Sequence, residues 1–178
     1  MKVLVVVDMQ TDFVDGALGT PEAVAIVPNV VQRVAQGIEQ GETILFTRDT
    51  HEPDYMDSQE GRNLPVPHCI RDTEGWEIIP QLKSYAVGFA PVDKPTFGSV
   101  NLAQTLAAIH QGTPIEHITL IGLCTDICVI SNALLLKAFL PEVPISVDAS
   151  CCAGVTPQSH LNALSAMKLC QITVENEN

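Results

Sequence analysis

Met1-Lys2-Val3-Leu4-Val5-Val6-Val7-Asp8 opens the chain with an unbroken, β-branched apolar run that stops at a carboxylate. A run without polar alternation is what a strand needs when it is buried on both faces of a parallel sheet. Similar short runs recur at residues 43–47, 86–92, 117–122, 145–147 and 172–174. Helical patterns lie between them: residues 30–40 ending at Gly41, 102–110 ending near Gly112, 127–140 ending at Pro141, and 157–167. Strand alternating with helix predicts an α/β protein, a Rossmann-like three-layer α/β/α sandwich around a six-stranded, mostly parallel sheet.

The chain has 178 residues, 46% of them apolar, which suits a single domain over residues 1–178 with a full core. Nine basic residues against twenty-one acidic ones give a net charge of −12, which argues against nucleic acid and anionic membranes as partners. Small molecules and other proteins remain. The first residues run straight into a strand with no secretory segment, and the six cysteines sit in strand-like or helix-like stretches, so a reduced, cytoplasmic protein is expected. The longest apolar run, residues 129–140, is interrupted by Ser131, Asn132 and Lys137 and is too short to span a bilayer. It reads as a helix buried on the sheet or at a subunit contact. Residues 49–76 fit neither period and are rich in Pro, Gly, Asp, Glu and His, and a loop that long in a compact domain is usually functional.

In an open α/β sheet, ligands bind beyond the carboxyl ends of the strands. Asp8 closes the first strand, Lys94 follows the strand expected at 86–92, and Cys128 follows the strand at 117–122. Cys128 lies in Gly122-Leu123-Cys124-Thr125-Asp126-Ile127-Cys128-Val129, on a first helical turn whose N–H groups and dipole favour thiolate. A carboxylate that takes the thiol proton and an ammonium that stabilises the thiolate would complete a nucleophile. The plainer alternatives are a turn cap for Asp8, a solvated loop lysine for Lys94 and a core cysteine for Cys128.

The long loop holds a second cluster: Asp49, His51, Glu60 and His68. Two imidazoles and two carboxylates suit a divalent transition metal such as zinc, iron or manganese, and the Asp-x-His spacing aims both side chains the same way from an extended segment. The alternative is a set of surface polar residues. No role is assigned to His110, His117 or His160. Alkylation is expected to label Cys128 first, with Cys69, Cys151, Cys152 and Cys170 dispensable for chemistry.

Taken together, these residues resemble the nicotinamidase and isochorismatase-like cysteine hydrolase superfamily over essentially the whole chain. Asp8-Met9-Gln10-Thr11-Asp12-Phe13 looks like its D-x-Q-x-D-F signature, Asp93-Lys94-Pro95-Thr96-Phe97-Gly98 like the segment of its lysine, and residues 122–129 like its G-x-x-T-D-x-C-V nucleophile motif. The resemblance implies a catalytic triad of Asp8, Lys94 and Cys128, a cis peptide at Leu123-Cys124, and an oxyanion hole made by the N–H groups of Cys124 and Cys128. Nicotinamidases carry an Asp-x-His pair and a later histidine, here Asp49, His51 and His68, that hold one divalent ion; zinc is expected first, iron or manganese otherwise. The fourth ligand varies in that branch. No histidine stands between His51 and His68, so Glu60 is the candidate, with Asp54 and Asp57 as alternatives. Nicotinamidases often place an aromatic residue three positions before the last histidine. Pro65 stands there in this chain, which leaves Phe13 and Phe97 as substrate walls. The implied activity is hydrolysis of a linear amide C–N bond, nicotinamide to nicotinate and ammonia, by a homo-oligomer (dimer or tetramer). The competing readings are an amidase for another small amide or carbamoyl compound, a vinyl-ether hydrolase of the isochorismatase type, which the metal cluster disfavours, and a non-catalytic metal or redox module.

Overall fold

Strand β1 (Lys2–Val7) sits in the middle of a six-stranded sheet whose order is β3-β2-β1-β4-β5-β6, the others being β2 (Thr43–Asp49), β3 (Val92–Lys94), β4 (His117–Leu123), β5 (Ile145–Ala153) and β6 (Thr173–Glu175). Every neighbouring pair is parallel. The computed structural model describes residues 1–178 except Val87, Phe89 and Asn178. Seven α-helices connect the strands: α1 (Thr11–Val14), α2 (Pro21–Glu39), α3 (Gln59–Asn63), α4 (Pro80–Lys83), α5 (Val100–Gly112), α6 (Ile130–Phe139) and α7 (Pro157–Leu169). Among the described residues no helix is long and apolar enough to cross a membrane.

The side-chain alternation of β1 divides the core. Val3, Val5 and Val7 face a cluster with Leu102 and Leu106 of α5, Leu136 of α6 and Leu164 and Met167 of α7. Leu4 and Val6 face Ile26, Val30 and Val34 of α2, Leu82 of α4, and Cys69, Trp76, Ile78 and Ile79 from the end of the long loop and just beyond it. This is the three-layer α/β/α sandwich that the strand–helix alternation predicts. The chain order reverses between β1 and β4, so a crevice opens there beyond the strand ends, as doubly wound sheets require.

Three elements differ most from the sequence reading. Helix α2 begins nine residues before the expected start at Val30 and runs through Pro28, with Thr20 capping Ala23 N–H and Pro21 in the first turn. An interior proline costs about 3 kcal/mol; the buried stripe of Ala23, Ile26, Val30, Val34 and Gly37 outweighs it. The strand expected at 86–92 is displaced: Val87 and Phe89 lie outside the described residues, Ala86 and Gly88 are in turn and bend, and the ladder with β2 runs over Val92–Lys94. Lys94 therefore ends a strand rather than following one, opposite Asp49 in the register. Strand β5 continues to Ala153, past Asp148 and Ser150, across an irregularity in its pairing with β4.

Candidate active site

Four strand ends converge on the crevice. Asp8 follows β1, Asp49 ends β2, Lys94 ends β3, and Leu123 ends β4 just before the turn that carries Cys128. At that junction Gly122 has φ +113° and its Cα lies so close to β1 that a Cβ would sit 2.1 Å from the Val7 carbonyl oxygen, so only glycine fits. The Leu123–Cys124 peptide is cis. Thr125–Val129 then forms a single π turn before α6, with Val129 N–H donating to the Cys124 carbonyl at 3.0 Å.

Lys94 is the hub. Its ammonium lies 2.7 Å from Asp8 Oδ2, 3.0 Å from Asp49 Oδ1 and 3.3 Å from Cys128 Sγ, and both it and Asp8 have side chains with no solvent exposure. Burial by itself would lower the lysine pKa, but the charges of Asp8, Cys128 and Asp49 overcome it and hold the ammonium protonated. Burial, with the repulsion of Asp49, raises the Asp8 carboxyl above its usual value against the pull of Lys94. Thr47 Oγ1 donates to Asp8 Oδ1 at 2.6 Å and fixes the carboxylate plane.

Burial and the Asp8 charge also push the Cys128 thiol well up, more than Lys94 lowers it. Burial thus opposes the thiolate that the helix-start position favours. The order of alkylation changes as well, since Cys128 is 3% exposed whereas Cys170 lies on the surface. Cys170 is the thiol open to a bulk reagent. Burial pushes Cys124 to about 12 and Cys151 to about 11.

Asp49, His51, Glu60 and His68 each offer one ligand atom, and these atoms all lie within 4.8 Å of one another. Asp49 shares its oxygens, Oδ1 toward Lys94 and Oδ2 at 3.0 Å from His51 Nε2 and 3.6 Å from His68 Nε2. Glu60 Oε1 is 3.6 Å from His51 Nε2 and 3.9 Å from His68 Nε2. Burial works against the Asp49 charge, but both histidines and Lys94 hold this carboxyl below its usual range. The His68 Nδ1 proton goes to the Val66 carbonyl at 2.8 Å, which leaves Nε2 with its lone pair aimed inward. His51 Nε2 is buried and makes no hydrogen bond. A buried imidazole nitrogen facing two carboxylates with no donor to satisfy it fits a cation between them. The alternatives Asp54 and Asp57 are exposed and lie outside this group. Glu60 joins it because Ser58 caps α3 by accepting from Gly61 N–H and fixes the helix that carries the carboxylate.

Several positioning residues were given no role in the sequence reading, although Gln10 and Asp12 are letters of the D-x-Q-x-D-F signature. Gln10, fully buried, accepts from Asp49 N–H at 2.7 Å and donates to the Asp49 and Trp76 carbonyls at 2.9 and 2.8 Å, clamping the backbone that carries the cluster. Trp76 donates to Thr50 Oγ1 at 2.8 Å beneath the Arg48 guanidinium, 3.5 Å from its ring centre. Asp12 Oδ2 accepts from Cys69 N–H at 2.8 Å, next to His68. Tyr55 packs against His51 and His68, with ring centres 4.6 and 5.1 Å apart, and donates to the Leu64 carbonyl. His160, given no role from sequence, hydrogen-bonds Thr125 Oγ1 at 2.8 Å and so braces the nucleophile turn against α7.

A cavity of about 570 Å³ opens over these groups. Cys124, Cys128, Asp49, His51, Glu60 and His68 line it together with Phe13 and Phe97, whereas Pro65 is not among its lining residues. Phe13 lies 5.5 Å from His68, ring centre to ring centre.

A doubly wound parallel sheet carrying a thiol, an ammonium and a carboxylate at its switch point is the scaffold of a cysteine-hydrolase superfamily. The chain belongs to the isochorismatase family, whose domain matches residues 2–177. It is 26% identical to the nicotinamidase of Escherichia coli K12 over 94% of this chain and 90% of that protein. Its structure is similar to that of the nicotinamidase/pyrazinamidase of Bacillus subtilis (28% identity, TM-score 0.83, 98% of this chain and 99% of that one). It is also similar to the pyrazinamidase of Pyrococcus horikoshii in complex with zinc (28% identity, TM-score 0.79, 97% of each chain).

Proposed function

We propose that the chain is an amidohydrolase of the nicotinamidase kind, converting a small carboxamide, nicotinamide foremost, to its acid and ammonia through a thioester on Cys128. The observation that carries this reading is the single ammonium of Lys94 touching Asp8, Asp49 and Cys128 at once, because it joins a protected thiol, its base and a polar ligand cluster in one buried unit.

Asp8 takes the thiol proton as Cys128 Sγ attacks the amide carbon, and Lys94 stabilises the sulfur charge that develops. The backbone N–H groups of Cys124 and Cys128 are assigned to the oxyanion of the tetrahedral intermediate. Asp8 then gives its proton to the departing nitrogen, and ammonia leaves as the thioester forms. Water attacks the thioester with its proton passing to Asp8, and that proton returns to Cys128 as the acid departs. Phe13 gives the ring an apolar wall beside the thiol.

Asp49, His51, Glu60 and His68 would hold one divalent ion, zinc by preference for this nitrogen and oxygen donor set. When bound, such an ion acts as a Lewis acid that lowers the pKa of its water and can accept a heteroaromatic nitrogen lone pair. The six free thiols suit a reducing, cytoplasmic setting.

Ammonia release from nicotinamide by protein purified without chelators tests the proposal, and no release above a Cys128→Ala control would overturn it. Asp8→Asn is expected to lower kcat by about 10²–10⁴-fold, the usual range for a positioned acid–base group, since the amide cannot take the thiol proton. A rate near the parent's in the folded variant would mean that another group is the base. Gln10→Ala removes three hydrogen bonds that fix the Asp49 backbone and its neighbour Trp76. Loss of such outer support typically weakens metal affinity about 10–100-fold. Titration with a competing chelator measures it.

A further inference from the structure

The cavity is larger than the proposed chemistry needs. Cavities of roughly 300–1,000 Å³ hold drug-sized ligands, and this one measures about 570 Å³. A single-ring carboxamide seated between Cys128 and the Asp49–His68 cluster leaves its outer part open. The cavity's apolar lining includes Leu18, Leu64, Phe97 and Ile127, and of these Leu64 and Phe97 are the solvent-exposed ones. Leu64 is 38% exposed and Phe97 45% exposed. Single exposed apolar side chains are ordinary, but two large ones turned to the same cavity form a binding surface.

The Phe97 wall is fixed from behind. Asn132, with no exposure, donates from Nδ2 to the Cys128 carbonyl at 2.8 Å and to the Phe97 carbonyl at 3.1 Å, while its Oδ1 accepts from Ser99 N–H at 2.9 Å. One buried amide thereby ties the nucleophile's backbone to the segment that carries the wall. Gly98 allows the close approach, since a Cβ there would lie 3.1 Å from the Ser131 carbonyl oxygen of α6. The charged residues lining the cavity are Asp49 and Glu60, with no lysine or arginine among them. Among the described lining residues there is thus no cation side chain to pair an anionic extension such as a phosphate.

Building on the amidase reading above, we propose that the outer cavity is a second subsite that selects carboxamides carrying a neutral, apolar substituent beyond the amide-bearing ring. Leu64 and Phe97 make its contacts, and Asn132 is the positioning residue that holds Phe97 in register with Cys128.

Steady-state ammonia release from nicotinamide and from 5-phenylnicotinamide, with the parent protein and the variants Phe97→Ala, Leu64→Ala and Asn132→Thr, tests this. The parent is expected to show a KM for 5-phenylnicotinamide at least about tenfold below that for nicotinamide, the scale on which apolar pockets discriminate. Each alanine variant raises the KM for 5-phenylnicotinamide by a larger factor than that for nicotinamide. Threonine at 132 keeps a hydroxyl able to bond the carbonyl four residues earlier but cannot bridge to Phe97 and Ser99. Asn132→Thr should therefore narrow the KM ratio of the two amides, whereas a purely structural role would lower the melting temperature and leave that ratio alone. Hydrolysis of nicotinamide with an equal or higher KM for 5-phenylnicotinamide, or variants that shift both KM values equally, overturns the subsite and leaves the amidase reading standing. Ammonia from neither amide overturns the amidase reading and the subsite with it.

Discussion

Cys128→Ala is expected to lower amide hydrolysis by at least about 10⁴-fold, the scale seen when a covalent nucleophile is removed, with the fold retained. The substitution deletes one sulfur from a residue 3% exposed, a smaller change than the loss of a branched core side chain. It leaves Lys94 compensated as well, because Asp8 at 2.7 Å and Asp49 at 3.0 Å still face the ammonium and no buried charge loses its last partner. Far-ultraviolet circular dichroism and a thermal midpoint establish the fold, and the ammonia assay reads the chemistry. A folded variant with parental turnover would eliminate the thiol mechanism. Alkylation is a poorer test than the sequence suggested, because the exposed Cys170 competes for reagent while Cys128 is buried.

How far the sequence could be read follows from where each signal is stored. Strands β1 and β4 are legible because burial on both faces demands unbroken apolar runs, and residues 122–129 are legible because a turn chemistry is written locally. Strand β3 is not. Its three residues, Val92, Asp93 and Lys94, hold one hydrophobe, and the strand exists because it pairs with β2 and because Lys94 is needed opposite Asp49. The apolar letters at 86–92 therefore drew the boundary to the wrong place. The start of α2 was hidden by Pro28, which reads as a break when taken without the buried stripe on either side of it. In the site, Asp49, His51 and His68 follow from residue type and spacing, but the choice among Asp54, Asp57 and Glu60 depends on Ser58 starting a helix of five residues, too short to show a period. Gln10 reaches Asp49 across thirty-nine positions, and His160 reaches Thr125 across thirty-five. Such contacts are products of strand order: the D-x-Q-x-D-F signature marks Gln10 without showing its partner, and His160 stands in no local pattern.

His51→Ala and His68→Ala should each remove most of the bound metal and at least about 10³-fold of the amidase rate, a loss equivalent to the several kcal/mol that Lewis-acid assistance supplies. The two imidazoles are the only neutral nitrogen donors in the group, and the His68 tautomer is fixed by Val66 so that Nε2 faces inward. Removing either leaves Asp49 and Glu60 facing each other with one nitrogen between them, a donor set better suited to a hard, water-rich cation than to zinc. Glu60→Ala should weaken binding less, because Glu60 is the one member of the group that is only partly buried, and water can take its position. The two kinds of variant separate the metal from the thiol chemistry. His51 and His68 do not touch Lys94, whose partners are Asp8, Asp49 and Cys128. The triad should survive, and Cys128 in the His51→Ala protein should still form a covalent adduct with an aldehyde analogue of the substrate. Elemental analysis of protein purified without chelators, then after chelation and add-back of zinc, manganese or iron, measures occupancy independently of turnover. A protein that carries no stoichiometric metal, and whose rate chelation leaves unchanged, would make the Asp49–His68 group a polar wall and the enzyme a metal-independent amidase.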